Sequence, residues 1–211
     1  LHRTQDIKML QAAKPKLYAL LDYFAKFENE FELLEKLESW VFLEWSRAND
    51  DDVVQDVNYP TNMCYGAVLK AVGRMYEDKA LLDKGERIIQ TIRRLSFNGE
   101  FFVDNAYRRN GVLVPSGITT EVCQYYAFFF DVATPQTHPQ LWQVLVSSFG
   151  PERKQNNPYP NVHFANAFIG NYLRLELLMR YNENQRTLDN IKGFFLKMAR
   201  QTGTLWEHDD V

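Results

Sequence analysis

The sequence has few cysteines, no long apolar run and no excess of positive charge. Its two cysteines, Cys64 and Cys123, cannot form a disulfide framework, and by themselves they cannot form a zinc site. A membrane-spanning helix needs about 18 apolar residues in a row, and no such run occurs, so no membrane span is expected. The chain has 24 Lys and Arg against 27 Asp and Glu, a net charge of −3. No basic face stands out, which argues against a nucleic-acid partner.

Several kinds of catalytic motif are also missing. No glycine-rich phosphate loop and no serine nucleophile elbow occur. The four histidines do not have the spacing of metal ligands. We therefore predict neither a metal nor a cofactor. The histidines are His2, His138, His163 and His208.

Hydrophobic and aromatic residues are plentiful. They make up 45% and 14% of the 211 residues, enough to bury a sizeable core and to exclude general disorder. The chain starts at Leu1 and ends at Val211 without a closing element, so we expect it to be a piece of something longer, a partial domain over 1–211.

Apolar residues recur at helical spacing through most of the chain. Pro15 suits the first turn of one predicted helix, and Pro60 starts the next. The spacing predicts helices near 15–28, 60–77, 79–95, 119–131, 138–149, 161–181 and 184–200.

The predicted helices alternate in character. Those at 119–131 and 161–181 are apolar nearly all round, which indicates burial on all sides, whereas 79–95 and 138–149 carry one apolar face. This predicts an all-α fold with an inner and an outer layer of helices. An α/α toroid is built in this way, and so is an α-solenoid of helix pairs. Because no fixed-period repeat is visible, the toroid is favoured.

Long connections gather at one rim of this arrangement, where the inner helices begin. Within one of them, Phe101–Val103 and Val112–Val114 flank Asn110-Gly111, which predicts a β-hairpin. Long loops without helices of their own are usually functional. These connections are 29–59, 96–118, 150–160 and 201–211.

The rim carries carboxylates, amides and aromatic side chains together. This mixture suits a carbohydrate, because sugar hydroxyls need donors and acceptors while the C–H face of the ring packs on indole. Two carboxylates can supply general acid and base chemistry at a glycosidic bond. The candidate side chains are Trp40, Glu44, Trp45, Arg47, Asp104, Glu121, His163, Trp206 and Glu207.

Structural roles are open for the same residues. Trp40 and Trp45 could be core aromatics, and His163 could be a hydrogen-bonded structural residue. Thr119 or Thr120 could be a helix N-cap, beside which Glu121 would only favour the helix dipole. The run Asp50–Asp52 is predicted to be a solvated turn, and the alternative is a set of calcium ligands.

Six strings, in this order, resemble the later part of the catalytic domain of glycoside hydrolase family 78, the bacterial α-L-rhamnosidases, and of related six-hairpin glycosidases. The resemblance spans roughly 40–211, and its most specific part is Thr204-Leu205-Trp206-Glu207. The strings are Trp45–Asp50, Asn58–Asn62, Phe101–Ala106, Thr119–Tyr126, Ala165–Tyr172 and Thr202–Glu207.

The resemblance implies part of an (α/α)6 barrel and an inverting hydrolase that removes terminal α-L-rhamnose. It implies that Glu207 is the general base and that Trp45 and Trp206 shape the sugar site. Asp104 and Glu121 are further substrate-binding candidates, because of their positions in the motifs of the wider clan and at the rim.

Arg47 and His163, from the same rim, complete the expected substrate-binding set. The family's general acid lies upstream of this chain, so neither Glu44 nor Glu121 is assigned to that role. The remainder of the catalytic domain is then a required partner, and a periplasmic or extracellular location fits polysaccharide degradation.

Two other classes stay open. One is a non-catalytic α/α scaffold or glycan-binding protein. The other is an α/α-barrel epimerase or lyase, for which His163 and Tyr159 are the suggestive proton carriers.

Overall fold

A computed structural model of the chain describes residues 7–166 and 168–206. This part is mostly helical, as the sequence predicts. It also has two small sheets, of which the sequence predicted only the hairpin in one. Its helices are α1 Ile7–Ala25, α2 Asp51–Val54, α3 Tyr59–Tyr76, α4 Lys79–Ser96, α5 Glu121–Phe129, α6 Pro139–Ser147, α7 Arg153–Asn156, α8 Gly170–Arg180, α9 Asn184–Asn190 and α10 Leu196–Thr202, with a 3-10 turn at Arg47–Asn49 and a π-helical segment at Ile191–Phe195. Its strands are β1 Val57–Asn58, β2 Asn105–Arg109, β3 Val112–Pro115, β4 Thr119–Thr120 and β5 Val162–His163.

Helices α3 and α4 form a tightly packed hairpin with the predicted bounds. The Asn58 side chain accepts the N–H of Thr61 and so caps α3, while Asp78 caps α4. At the crossing point, a Cβ on Gly85 would lie 2.7 Å from the carbonyl oxygen of Gly66. Glycine therefore permits a backbone approach that any other residue would block.

Helix α5 is buried nearly all round, as predicted, and contacts both α3 and α8. It begins where the Thr120 hydroxyl accepts the N–H of Cys123, so Thr120 is the N-cap. From the next layer, Trp142 of α6 packs on Phe128 with ring centroids 5.3 Å apart. Helices α3, α5 and α8, which each follow one of the long rim connections, therefore lie side by side in that order.

Two helix predictions are wrong at their N-terminal ends. Helix α1 begins at Ile7, so Pro15 lies inside it rather than in its first turn; the Tyr76 hydroxyl holds the early part through a 2.8 Å bond to the Leu10 carbonyl. Helix α8 begins at Gly170 rather than near 161, because 162–163 is a strand that pairs with β4.

The last helical pattern, 184–200, is present but not regular. It runs through α9, a π-helical segment and α10. Helix α8, expected to be buried all round, exposes 56% of Tyr172. Between α8 and α10 lies an apolar cleft of about 940 Å³. We call it the α8–α10 cleft, and it is lined by Phe168, Tyr172, Leu175, Ile191, Phe195, Leu196, Ala199, Leu205 and Trp206.

The predicted hairpin exists, with its turn at Asn110-Gly111. Its first strand is β2, 105–109, rather than Phe101–Val103. Register explains the difference: a two-residue turn pairs Arg109 with Val112, so the strand must end directly before Asn110. Strand β1 adds to β2, while β4 and β5 form a separate parallel pair.

Within the described residues, no helix combines the length and hydrophobicity that a membrane crossing needs.

Candidate functional site

Short strands tie the rim connections together. Strand β1 pairs with β2, and β4 pairs with β5, so three distant parts of the sequence, near 57, 105–120 and 162, meet at the N-termini of α3, α5 and α8. Asp104, Glu121 and His163 are thereby brought to one region, because Thr120 lies opposite His163 in the pairing and is bound by Asp104.

Asp104 is fully buried at the centre of these connections. Its two carboxylate oxygens accept the backbone N–H and the hydroxyl of Thr120, both at 2.7 Å. Its main chain also bonds Tyr59 and Ile118. Burial raises the pKa of Asp104 to about 7, although the Thr120 donors and the Arg47 charge oppose the shift. Through its side chain and its main chain, Asp104 therefore joins its own connection to the starts of α5 and α3.

Glu121 is buried beside a guanidinium. Its Oε1 lies 2.9 Å from Nε of Arg153, and both residues are less than 5% exposed. Its Oε2 accepts the N–H of Ala165 and the hydroxyl of Tyr125. Burial raises the pKa of Glu121 despite these partners. The Glu121 carboxylate is therefore enclosed by protein groups and is not open to solvent.

Glu44 connects the first rim segment to α8. Its carboxylate accepts the backbone N–H of Gly170 at the start of that helix, although 125 residues intervene between the two. Close by, the Asn166 side chain donates to the Trp45 carbonyl at 2.8 Å. Burial raises the pKa of Glu44 to about 7, against the lowering effect of the Asn166, Ser46 and Gly170 donors.

The tryptophans of the first segment are not core residues. Trp40 is 69% exposed and Trp45 is 42% exposed. With Phe42 they form a cluster whose ring centroids are 4.8–5.8 Å apart. The alternative reading of Trp40 and Trp45 as buried aromatics is wrong, and both rings are available to a ligand.

Arg47 holds the acidic turn beside the tryptophans. Its guanidinium donates to Asp50 and Asp52 at 2.6 Å, so this turn is an ion-paired one with Asp52 in the short helix α2. His163 is exposed nearby. Partial burial lowers its pKa, the Arg47 charge lowers it further, and Asp50 and Asp52 oppose the shift.

Trp206 lies at the end of the described chain, on the α8–α10 cleft. Its indole N–H donates to the Thr202 hydroxyl at 2.7 Å. The predicted general base, Glu207, lies outside the described residues, so nothing is said of its position.

Two residues of this region escaped the sequence analysis. Phe42 completes the tryptophan cluster, and its spacing of two from Trp40 in an extended segment was the available signal. Arg153 pairs with Glu121, but an arginine in a polar loop carries no sign of burial. Over residues 7–166 and 168–206, no group of three or more His, Cys, Asp and Glu side chains could hold a metal ion.

Comparison with known proteins supports the fold. No protein-family model and no curated protein matches the sequence. Two solved structures match the chain closely in shape. One is a glycoside hydrolase family 78 rhamnosidase of Bacillus sp. GL1, with a TM-score of 0.74 and 15% identity over 93% of this chain. The other is a rhamnosidase of Klebsiella oxytoca with rhamnose bound, with a TM-score of 0.73 and 14% identity over 100% of this chain.

The chain spans only part of each of these proteins, 20% of the Bacillus chain and 38% of the Klebsiella chain. At this identity the match concerns the fold alone. The resemblance that the sequence motifs indicate is thus confirmed as a shared fold: the chain has the fold of a segment of the rhamnosidases.

Proposed function

We propose that the chain is part of a glycoside hydrolase that removes terminal α-L-rhamnose with inversion of configuration. The observation that carries this proposal is the fold shared with two rhamnosidases in a chain that also contains Thr204-Leu205-Trp206-Glu207. Trp45, 42% exposed at the rim, supports a sugar ligand, since indole faces pack on the C–H face of a sugar ring.

Glu207 is the proposed general base. It would deprotonate a water on the face of the sugar opposite the leaving group. A protonated carboxyl from the remainder of the domain would donate to the leaving oxygen. In inverting enzymes the two carboxyl groups lie about 6.5–9.5 Å apart, which leaves room for that water.

The substrate contacts fall into two groups. Trp45, Trp206, Arg47 and His163 have surface that a sugar could reach, and we propose them as direct contacts. Asp104 and Glu121 have no more than 4% exposure, so we propose that they act by holding Thr120 and the 162–166 segment at the rim.

The remainder of the catalytic domain is the proposed partner, completing an (α/α)6 toroid. The α8–α10 cleft supports this, because a face with an exposed Tyr172 and Leu205 is typical of a surface that another helix covers.

A comparison of two variants in the full-length gene product tests the mechanism. Glu207→Gln keeps the shape of the side chain and removes the base, so turnover of an α-L-rhamnoside should fall by orders of magnitude while binding remains. His163→Ala should raise KM, because a proposed substrate contact is lost, and should retain most of kcat, because His163 is not proposed to transfer a proton. Proton NMR should show the first-formed rhamnose with the inverted anomeric configuration.

The alternatives predict other results. Activity lost in His163→Ala and kept in Glu207→Gln would favour the epimerase or lyase. Tight glycan binding without turnover in the intact protein would favour the non-catalytic scaffold. Near wild-type kcat in Glu207→Gln would remove Glu207 from the base role.

A further inference from the structure

A second recess lies beside the tryptophan cluster. The irregular segment 37–43 lies along the first turns of α3 and encloses a groove of about 420 Å³. Trp40 and Phe42 form one wall, and Phe24, Pro60 and Tyr126 lie on the others. We call it the aromatic groove.

The rings of one wall form a cup rather than a flat plate. Trp40 and Phe42 are tilted by 47° with centroids 5.1 Å apart, and Phe42 and Trp45 by 60° with centroids 4.8 Å apart. Tilted aromatic rings at these distances attract one another edge to face. Even so, 69% of the Trp40 surface stays in contact with solvent. An exposed tryptophan at the mouth of a concave apolar recess is typical of a ligand site.

Most of the groove's lining is aromatic or aliphatic, and two of its hydroxyls are engaged within the protein. The Thr61 hydroxyl donates to Asn58 at 2.7 Å, and the Tyr126 hydroxyl donates to the Leu43 carbonyl at 3.3 Å. A sugar ring needs several donors and acceptors around its edge, and a charged group needs a partner of opposite sign. The one charged side chain among the described residues that line the groove is Glu38, which repels an anion. The recess therefore fits a neutral, flat, apolar ring.

The groove also adjoins the proposed sugar site. Trp45 belongs to the ring cluster, and its main chain is bound by Asn166. We propose that the aromatic groove binds the aryl group of a glycoside substrate, the leaving-group side, with Trp40 and Phe42 as its principal contacts. In naming the leaving group, this inference rests on the proposed function; binding of an aryl ring does not.

Binding of a free aryl ring is the first test. The probe is 2-naphthol, titrated into the 211-residue chain by calorimetry and mapped by saturation-transfer NMR. Because an aromatic pair contributes modestly, Trp40→Ala and Phe42→Ala should each weaken binding by about two- to tenfold. Trp40→Phe should recover part of the loss. Val112→Ala, an exposed apolar change on the hairpin, should have no effect.

Two outcomes would overturn the inference. Equal affinity in wild type, Trp40→Ala and Phe42→Ala would exclude the aromatic groove. Loss of binding in Tyr172→Ala, with Trp40→Ala unaffected, would place the probe in the α8–α10 cleft instead.

The second test uses catalysis by the full-length protein. Trp40→Ala should raise KM for 2-naphthyl α-L-rhamnoside by about two- to tenfold and leave KM for methyl α-L-rhamnoside unchanged. An equal change for both substrates would overturn the aryl assignment while the hydrolase proposal stands. If wild type hydrolyses neither substrate, the proposed function is overturned, and the 2-naphthol titration still decides whether the groove binds aryl rings.

Discussion

The carboxylate of Glu44 accepts a hydrogen bond from the backbone N–H of Gly170 and so caps α8 from a distant part of the chain. Position 170 has no room for a residue larger than glycine, because a Cβ there would lie 2.5 Å from Oε1 of Glu44. Trp45, the neighbour of Glu44, is held beside it by the side chain of Asn166, which donates to the Trp45 carbonyl. One buried carboxylate thus contacts the first residue of α8 and is the chain neighbour of a proposed sugar-binding ring.

The raised pKa of Glu44 predicts a pH-dependent stability. A carboxyl whose pKa is about 7 in the folded state and 4.5 otherwise binds more protons when folded, so stability falls as the pH rises through this window. Glu44→Gln removes this effect. Relative to wild type, the variant should gain up to about 3 kcal/mol between pH 4.5 and pH 8. Guanidinium unfolding of both proteins at the two pH values measures the difference, and a constant difference would contradict the account.

Breaking the Glu121–Arg153 pair should be costly. Glu121→Ala leaves the buried charge of Arg153 without a carboxylate, although neutral acceptors still bind its other nitrogens. We therefore expect a loss of about 3 kcal/mol of unfolding free energy. Asp83→Ala is the matched control, because its pair with Lys79 is exposed and should contribute under about 1 kcal/mol. Equal losses in the two variants, measured by denaturant unfolding, would show that the buried pair has no special role.

Thr120 serves two structures at once. Its hydroxyl donates to Asp104 and accepts the N–H of Cys123, so Thr120→Val removes the cap and one donor to a buried carboxyl. We expect a loss of about 1–3 kcal/mol, with Thr120→Ser close to wild type. Thermal unfolding of the three proteins checks this, and a neutral Thr120→Val would argue against the junction at Asp104.

The α8–α10 cleft should be available in this chain and covered in the intact protein. An apolar dye such as anilinonaphthalene sulfonate is expected to fluoresce with the 211-residue chain and far less with the full-length gene product. Tyr172→Glu should reduce the signal in the chain alone, because a carboxylate in the cleft repels the dye's sulfonate. Equal fluorescence of chain and full-length protein would contradict the proposed covering helix.

The sequence predicted the regular parts of the fold well. The bounds of α3 and α4 follow from their apolar stripes and from local caps at Asn58 and Asp78. The start of α8 could not be predicted, because the N–H of its first residue, Gly170, donates to the carboxylate of Glu44, which is distant in sequence. Strands of two residues, such as β4 and β5, carry no periodic signal of their own.

The candidate site divides in the same way. Their residue type and their position at the rim were enough to predict Trp45, Asp104 and His163 as site residues. Burial was not predictable: Asp104 and Glu121 are hidden by contacts with Thr120 and Arg153, which lie far away in sequence, while Trp40 is exposed although indoles usually lie inside.

Turnover of an aryl α-L-rhamnoside by the full-length gene product, beside the 211-residue chain alone, tests the central claim most directly. The account predicts release of the aryl alcohol by the full-length protein and none by the chain, which by the proposal lacks the general acid. No release by the full-length protein, with turnover of another aryl glycoside or of none in a panel, would contradict the assignment as an α-L-rhamnosidase.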